Sequence, residues 1–368
     1  MRNDEQSKTI KGIILGVVII LMIYIIPHMG IGGNKVEKVR QKIEEILLEK
    51  YGEEFVVDRI GMRSAAGEKF YQARIYPKAI VGTDKEGDKY YYKRASVDIE
   101  TFGGLKGVAD TYGVVRMNNE AEEYLKEKAI ELFGKRIRLK VDVDYERKSG
   151  VIFVTYYVSD FKKRLKEIRE MPDKRRMKLN LYIYIFDKID NDEEKEKRRR
   201  EIFEYIGYLK KEGIFEYLEM GVIFIDERVL TPSYKKYEGE IFITKKKEVK
   251  VEGKTVYLPP MKLRKEMSKV LGEELKEMSE DERINNMENI NKENLSYKGI
   301  RKYNSQYQTW IYSVEMLKAN YNTNYEKYKK EEKLNHYNFN TLEEILLGKS
   351  FRYIYIDKNE KGDVINGK

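Results

Sequence analysis

The sequence predicts an α+β fold in which an N-terminal transmembrane helix precedes a mixed body of helices and strands. Three observations support this prediction: an uncharged apolar run near the N-terminus, segments that alternate with period two, and segments whose apolar residues recur every three or four positions. We expect two α+β domains, over residues 34–158 and 159–358. The second would have a helical C-terminal region and would be followed by a flexible tail over residues 359–368.

The apolar run occupies residues 11–33. From Gly12 to Pro27 it carries no charged side chain. Its length approaches the ~20 residues that cross a ~30 Å hydrocarbon core, where a helix is the open-chain form that satisfies its own backbone. A cleavable signal has a shorter apolar region and a small-residue site, and the alternative of cleavage rests on Gly30-Ile31-Gly32. We therefore expect residues 1–33 to form a short tail and an uncleaved anchor that binds the lipid bilayer.

The charges that flank this anchor specify its orientation weakly. Lys and Arg accumulate on the cytoplasmic side of a membrane span. Three basic residues lie before the span and four lie soon after it: Arg2, Lys8, Lys11, Lys35, Lys38, Arg40 and Lys42. The large folded part follows the span, as in a signal anchor. We expect a single-pass protein of a bacterial cell membrane whose body lies outside the cytoplasm.

Composition excludes several chemistries. The chain has no cysteine, which rules out a disulfide framework, a thiolate nucleophile and a Cys-ligated zinc. Its two histidines, His28 and His336, are too far apart in sequence to suggest a metal site or a Ser/His triad. The formal net charge is +9, which would attract anionic lipids or envelope polymers. Without a recognised nucleic-acid motif we expect no nucleic-acid partner.

The middle of the body predicts a strand–helix–strand unit. Residues 177–187 alternate aliphatic with aromatic or polar side chains, as a strand does. Residues 190–213 follow as a helix with acids in its first turn and Gly213 at its end. Residues 221–229 are the next strand, so a βαβ unit or an α+β sheet is expected. Further along, apolar residues from Tyr307 to Tyr328 recur at helical spacing and predict an amphipathic helix.

Two groups of charged residues were considered as sites. Asp142, Asp144 and Glu146 alternate with apolar residues, so period two explains them as the wet face of a strand rather than a metal cluster. Lys245, Lys246 and Lys247 lie in a predicted Lys-rich hairpin and are the candidate contact for an anionic surface. A turn would project all three lysines, whereas a strand would split them between two faces.

Trp310 and the tyrosines that follow it could stack on a glycan, but their helical spacing favours packing in a core. No nucleophile elbow, phosphate loop or metal motif occurs, so we expect no catalytic residues, no metal and no cofactor. The expected function is a non-catalytic extracytoplasmic binding or assembly domain, with other envelope proteins or an anionic envelope polymer as partners. The alternative is an anchored hydrolase that cleaves envelope polymers with a pair of carboxylates.

Overall fold

The computed structural model describes residues 35–99, 104–251, 253–295 and 304–356. Its architecture is mixed α+β with several sheets, which confirms that part of the predicted fold class. None of the helices within these ranges is long and apolar enough to cross a membrane. The predicted anchor over residues 11–33 and the predicted tail over residues 359–368 lie outside the described residues.

Contacts divide the chain into two compact units. The first comprises the residues up to Glu86 together with Tyr91–Tyr112, and the second comprises Gly87–Tyr90 together with the residues from Gly113 onward. The second unit includes two strands, Ile137–Ser149 and Ile152–Thr155, that lie within residues 34–158, the range predicted for the first domain.

Among its described residues, the first unit combines an α-helix with a four-stranded sheet. Helix α1 covers residues 35–51 and buries Val39, Ile43 and Leu47. Gly52 ends it with φ of 70° and donates its N–H to Leu48 O at 2.8 Å, as a left-handed C-terminal cap does. The sheet has the order β1-β2-β3-β4, with strands Phe55–Ala65, Glu68–Pro77, Lys93–Ile99 and Leu105–Asp110.

The second unit is organised around a six-stranded sheet of order β12-β11-β8-β7-β5-β6. Its strands are β5 (Ile137–Ser149), β6 (Ile152–Thr155), β7 (Arg175–Phe186), β8 (Leu218–Ile225), β11 (Ser305–Tyr312) and β12 (Gly348–Lys349). Strands β7 and β8 are parallel, and helix α4 (Asp192–Lys211) connects them. This is the predicted βαβ unit. A separate hairpin pairs β9 (Lys247–Val251) with β10 (Lys254–Leu258).

Helices cover both faces of this sheet. Helices α2 (Gly113–Phe133), α3 (Phe161–Glu170) and α4 pack on one face, where Leu125, Leu181 and Val222 share a core. The other face meets a second core at one end, where Tyr184 and Ile225 are buried. That core includes residues of the β9–β10 hairpin and of helices α5 (Tyr234–Ile243), α6 (Met261–Glu277) and α7 (Glu280–Glu288).

The helix predicted from Tyr307 to Tyr328 is wrong. Residues 305–312 form strand β11, and two short helices follow, α8 (Val314–Asn320) and α9 (Asn322–Lys330). Alternation sends Tyr307 and Ile311 into the core beneath α2–α4, whereas Trp310 points to the opposite face. The helical spacing is a coincidence, because the segment contains a strand followed by short helices. The β-branched and aromatic content of the segment was the better indicator.

Candidate functional site

Part of the sheet face opposite α2–α4 carries polar and aromatic side chains. The strand register aligns these residues in two rows that run across β5, β7, β8 and β11. We call this surface the Trp310 face, and it comprises two rows, Lys140–Tyr182–Gly221–Trp310 and Asp142–Asn180–Glu219–Tyr312, together with Tyr321. Apart from Gly221, which is buried, these residues are partly exposed.

The indole of Trp310 lies directly on the backbone of Gly221. A Cβ built on Gly221 would come within 2.7 Å of Trp310 Cζ3 and 3.0 Å of Cη2, so only glycine allows this approach. The ring of Tyr182 meets the indole edge-on, with centroids 6.0 Å apart and planes at 80°. Strand pairing therefore holds two aromatic rings side by side on the sheet.

Glu219 occupies the second row and accepts hydrogen bonds from a neighbouring tyrosine. The hydroxyl of Tyr321 lies 3.2 Å from Glu219 Oε1 and 3.1 Å from Oε2. Burial raises the pKa of Glu219, although the hydrogen bond from Tyr321 opposes that change. Burial, together with the charge and hydrogen bond of Glu219, raises the pKa of Tyr321 to about 12. The pair places a partly buried carboxylate beside the aromatic row.

Asn180 lies between Asp142 and Glu219 in the same row. Its Oδ1 is buried and accepts no hydrogen bond from the part of the chain that the structure describes. Buried polar atoms nearly always have a partner. Asn180 therefore adds an unsatisfied polar atom to the row, beneath its accessible surface.

The acids of β5 lie on the face that alternation predicted. Asp142 accepts a hydrogen bond from Asn118 Nδ2 at 3.3 Å and lies 3.7 Å from Lys140 Nζ. Glu146 pairs with Arg176 at 2.7 Å. Burial raises the pKa of Asp144, with Lys178 opposing that change and the neighbouring carboxylates adding to it. Among the described residues no cluster of three acidic or histidine side chains could hold a metal ion.

The structure places the three candidate lysines away from a hairpin turn. Lys245 and Lys246 connect α5 to the hairpin, and Lys247 is the first residue of β9. The predicted hairpin therefore starts later than its sequence suggested, because residues up to Ile243 belong to α5. Phe242 and Ile243, which precede the lysines, are 76% and 81% exposed. The lysines belong to a different part of the chain from every residue of the Trp310 face.

Sequence reasoning missed Asn180, Glu219 and Gly221 as parts of a site. One signal was present, because a glycine inside a strand often marks a close approach by another group. Nothing in the linear sequence linked Gly221 to Trp310, since that contact depends on the pairing of β8 with β11.

Comparison with known proteins gives little further information. No family model and no curated protein matches the chain. A crystal structure of a DUF5037 family protein from Ruminococcus gnavus ATCC 29149 is similar at 16% sequence identity, with a TM-score of 0.31. The similarity covers 55% of this chain and 79% of that chain. A likeness of this size carries no information about function.

Proposed function

We propose that this chain is a single-pass, membrane-anchored protein of a bacterial envelope, and that its second unit binds a neutral glycan on the Trp310 face without cleaving it. The observation that carries the proposal is the indole of Trp310, which lies on Gly221 beside Tyr182. Aromatic faces carry partial negative charge and attract the C–H groups on the apolar side of a sugar ring. Sugar hydroxyls could then donate hydrogen bonds to the partly exposed carboxylate of Glu219.

The charges of the Trp310 face favour a neutral ligand. Asp142 and Glu219 outnumber Lys140 on this face and would repel a polyanion such as a nucleic acid or an anionic polymer. A purely apolar ligand would take the partly exposed carboxylate of Glu219 out of water without a new hydrogen bond, at a cost of about 1–3 kcal/mol or more. A polyhydroxylated ring satisfies both conditions, because it offers an apolar side and many donors.

The membrane location is supported by the length and apolarity of residues 11–33. The large folded part that follows them supports a body outside the cytoplasm. Envelope glycans also lie outside the cytoplasm, so the proposed orientation places the body in the compartment that contains the proposed ligand. The bilayer would be a constant partner of the chain.

The single tryptophan of the chain makes the glycan proposal directly testable. The full chain in detergent micelles would be titrated with chitotetraose, a neutral β-linked oligosaccharide. We expect a saturable blue shift of the emission of Trp310. The variant Tyr182→Ala should bind about 2- to 12-fold more weakly, since an aromatic contact contributes about 0.5–1.5 kcal/mol.

A matched control is Tyr257→Ala, which removes a 60% exposed aromatic ring from β10 and should leave the titration unchanged. A fluorescence signal that stays constant, together with the absence of heat in calorimetry, would refute binding of this ligand class. Equal losses in Tyr182→Ala and Tyr257→Ala would place the binding elsewhere.

One observation favours the alternative, a carboxylate hydrolase. Glu219 has the raised pKa of a general acid, and Asp142 lies two strands away in the same row. Two strand spacings place the backbones of these residues about 10 Å apart. This distance is slightly longer than the carboxyl separations of about 6.5–9.5 Å in inverting glycosidases. Release of shorter sugars from chitotetraose by the unmodified chain, abolished in Glu219→Gln, would establish this alternative.

Lys245, Lys246 and Lys247 stay a proposed contact for an anionic envelope polymer. Their charge and the exposure of Lys245 and Lys247 support it, although their position outside a turn weakens it. Binding of the full chain to poly(glycerol phosphate) should fall with salt and with replacement of all three lysines by Gln. Unchanged binding in that variant would leave them as solvated surface.

A further inference from the structure

The β5–β6 hairpin presents apolar side chains to solvent at its tip. Gly150 and Val151 form its turn, and Gly150 adopts a φ of 63° that suits glycine. Val151 is 94% exposed and Ile152 is 60% exposed. Past β6, Tyr156 and Tyr157 are 42% and 47% exposed. Contiguous exposed apolar side chains of this kind mark an interaction surface.

Basic side chains surround this tip. Arg147 and Lys148 precede the turn, and residues 147–157 contain no acid. The start of β7 adds Arg175, which pairs with Arg147 across the strands, and Lys174, whose carbonyl accepts a 3.0 Å hydrogen bond from Lys148 N. Lys148 and Lys174 are both exposed. The neighbouring acid Glu146 is neutralised by Arg176. The exposed acid Asp173 precedes Lys174, but the basic residues outnumber it, so the tip carries a local positive charge.

We propose that the tip of the β5–β6 hairpin docks on the surface of an anionic phospholipid bilayer. Val151 and Ile152 would enter the boundary between headgroups and acyl chains, as aliphatic residues of interfacial segments do. Tyr156 and Tyr157 would lie at the headgroup level, where aromatic rings concentrate. Lys148 and Lys174 would contact lipid phosphates, and each basic residue near such a surface strengthens binding about fivefold.

This inference deepens the membrane part of the proposed function and rests on it in one respect. An anchored chain is always close to a bilayer, so the hairpin tip can reach a lipid surface. The glycan site is a separate matter, since the hairpin tip and the Trp310 face share no residue. Failure at one surface is therefore distinguishable from failure at the other.

The absence of cysteine from the chain allows a unique label at the tip. The full-length Val151→Cys variant would carry an environment-sensitive fluorophore and be reconstituted in nanodiscs. The nanodiscs would consist of phosphatidylcholine with brominated acyl chains, with or without phosphatidylglycerol. Vesicles of the same lipid would then be added. We expect quenching of the label by brominated lipid when phosphatidylglycerol is present. Replacing Lys148 and Lys174 by Gln should weaken this docking about 25-fold, at fivefold per residue.

A matched control is the same label in Leu346→Cys. Leu346 is also a highly exposed aliphatic residue, at 78%, and it lies next to β12 at the opposite edge of the same sheet. It should not be quenched in either lipid. Equal quenching at the two positions, or a label at residue 151 that brominated anionic lipid never quenches, would overturn the proposal.

Failure of the anchor would be visible in the same experiment. A chain that does not co-elute with nanodiscs is not anchored, and the label is then read on the added vesicles alone. Quenching by the anionic vesicles in that case supports hairpin docking without an anchor. Absence of quenching by them rejects the docking as well.

Discussion

At the scale of single residues, the Trp310 face depends on a glycine. Gly221 has no side chain, so the indole of Trp310 can cover the backbone of β8 and meet Tyr182 at its edge. A strand glycine normally costs packing contacts, and here the indole supplies them. The geometry of the Trp310 face therefore depends on the absence of a side chain at residue 221.

The variant Gly221→Ala should displace the indole. We expect a loss of about 1–3 kcal/mol in the free energy of unfolding, since added atoms in a packed site force side chains off their rotamers. The emission of Trp310 should shift at the same time. Urea unfolding followed by fluorescence measures both. Gly207→Ala is the matched control, because a Cβ at this exposed position of α4 meets nothing within 4 Å. It should stabilise the chain by up to about 1 kcal/mol.

Glu219 should make stability depend on pH. Its pKa in the folded chain is raised, mainly by burial. The group therefore contributes stability below its unfolded pKa of about 4.3, and that contribution is lost as pH rises through the higher folded pKa. In Glu219→Gln the fall in stability from about pH 4 to neutral pH should be smaller than in the unmodified chain. Urea unfolding across this range measures the difference, and parallel curves would contradict the raised pKa.

At the scale of elements, helix α2 protects the free edge of β5. Where β6 does not reach, Asn118 Oδ1 accepts a 2.8 Å hydrogen bond from Val143 N and Glu122 Oε1 accepts one from Val141 N at 3.2 Å. The second oxygen of Glu122 binds Lys292 Nζ at 2.6 Å. Edge strands invite pairing with other chains unless something covers them, and here two side chains of one helix supply the cover.

Replacing Asn118 by Leu tests whether α2 stabilises the edge of β5. The variant keeps the size of the side chain but leaves Val143 N–H buried without a partner, which costs about 1–3 kcal/mol. Glu123→Ala, on the exposed side of α2, should change stability by less than about 0.5 kcal/mol. Thermal unfolding of both variants gives the comparison, and equal midpoints would mean that the edge is held by other contacts.

Predictions from sequence succeeded where an element carries its own start and stop signals. Helix α4 begins after Asn191, whose side chain accepts from Glu194 N, and has acids in its first turn. By contrast, Asn118 lies inside α2, which starts at Gly113, and its side chain binds β5, a contact that no local pattern indicates. Sequence patterns did not indicate the Trp310 face, for the same reason that they did not indicate the contact between Asn118 and β5. Both are created by partners distant in sequence, which local periodicity does not record.

At the scale of the whole molecule, the proposed anchor and orientation give a clear test. Extracellular protease applied to intact cells, or to spheroplasts where an outer membrane is present, should digest the body beyond Asn34. Protection of the body until the cells are lysed would reverse the proposed orientation. Recovery of a chain that begins near Gly33 would instead show that the N-terminal segment is cleaved.

The anchor itself should fail when charged. Replacing Val18 and Ile20 by Arg should release the chain from the membrane fraction or block its insertion. Each charge at the centre of a span costs roughly 2.5–3.5 kcal/mol. Fractionation by ultracentrifugation measures the outcome. A doubly substituted chain that still sediments with membranes, and resists carbonate extraction, would contradict a spanning helix at residues 11–33.

The order of strands in the second unit has a consequence for how the chain is made. Strand β11 pairs with β8, yet the segment that contains α5, β9, β10, α6 and α7 is synthesised between them. A growing polypeptide therefore presents the outer edge of β8 to its surroundings until residues beyond Asn304 emerge. Unpaired edges of this kind promote aggregation of partly folded chains. Premature termination before β11 should thus yield an insoluble product, and a holding chaperone would protect this edge during biosynthesis.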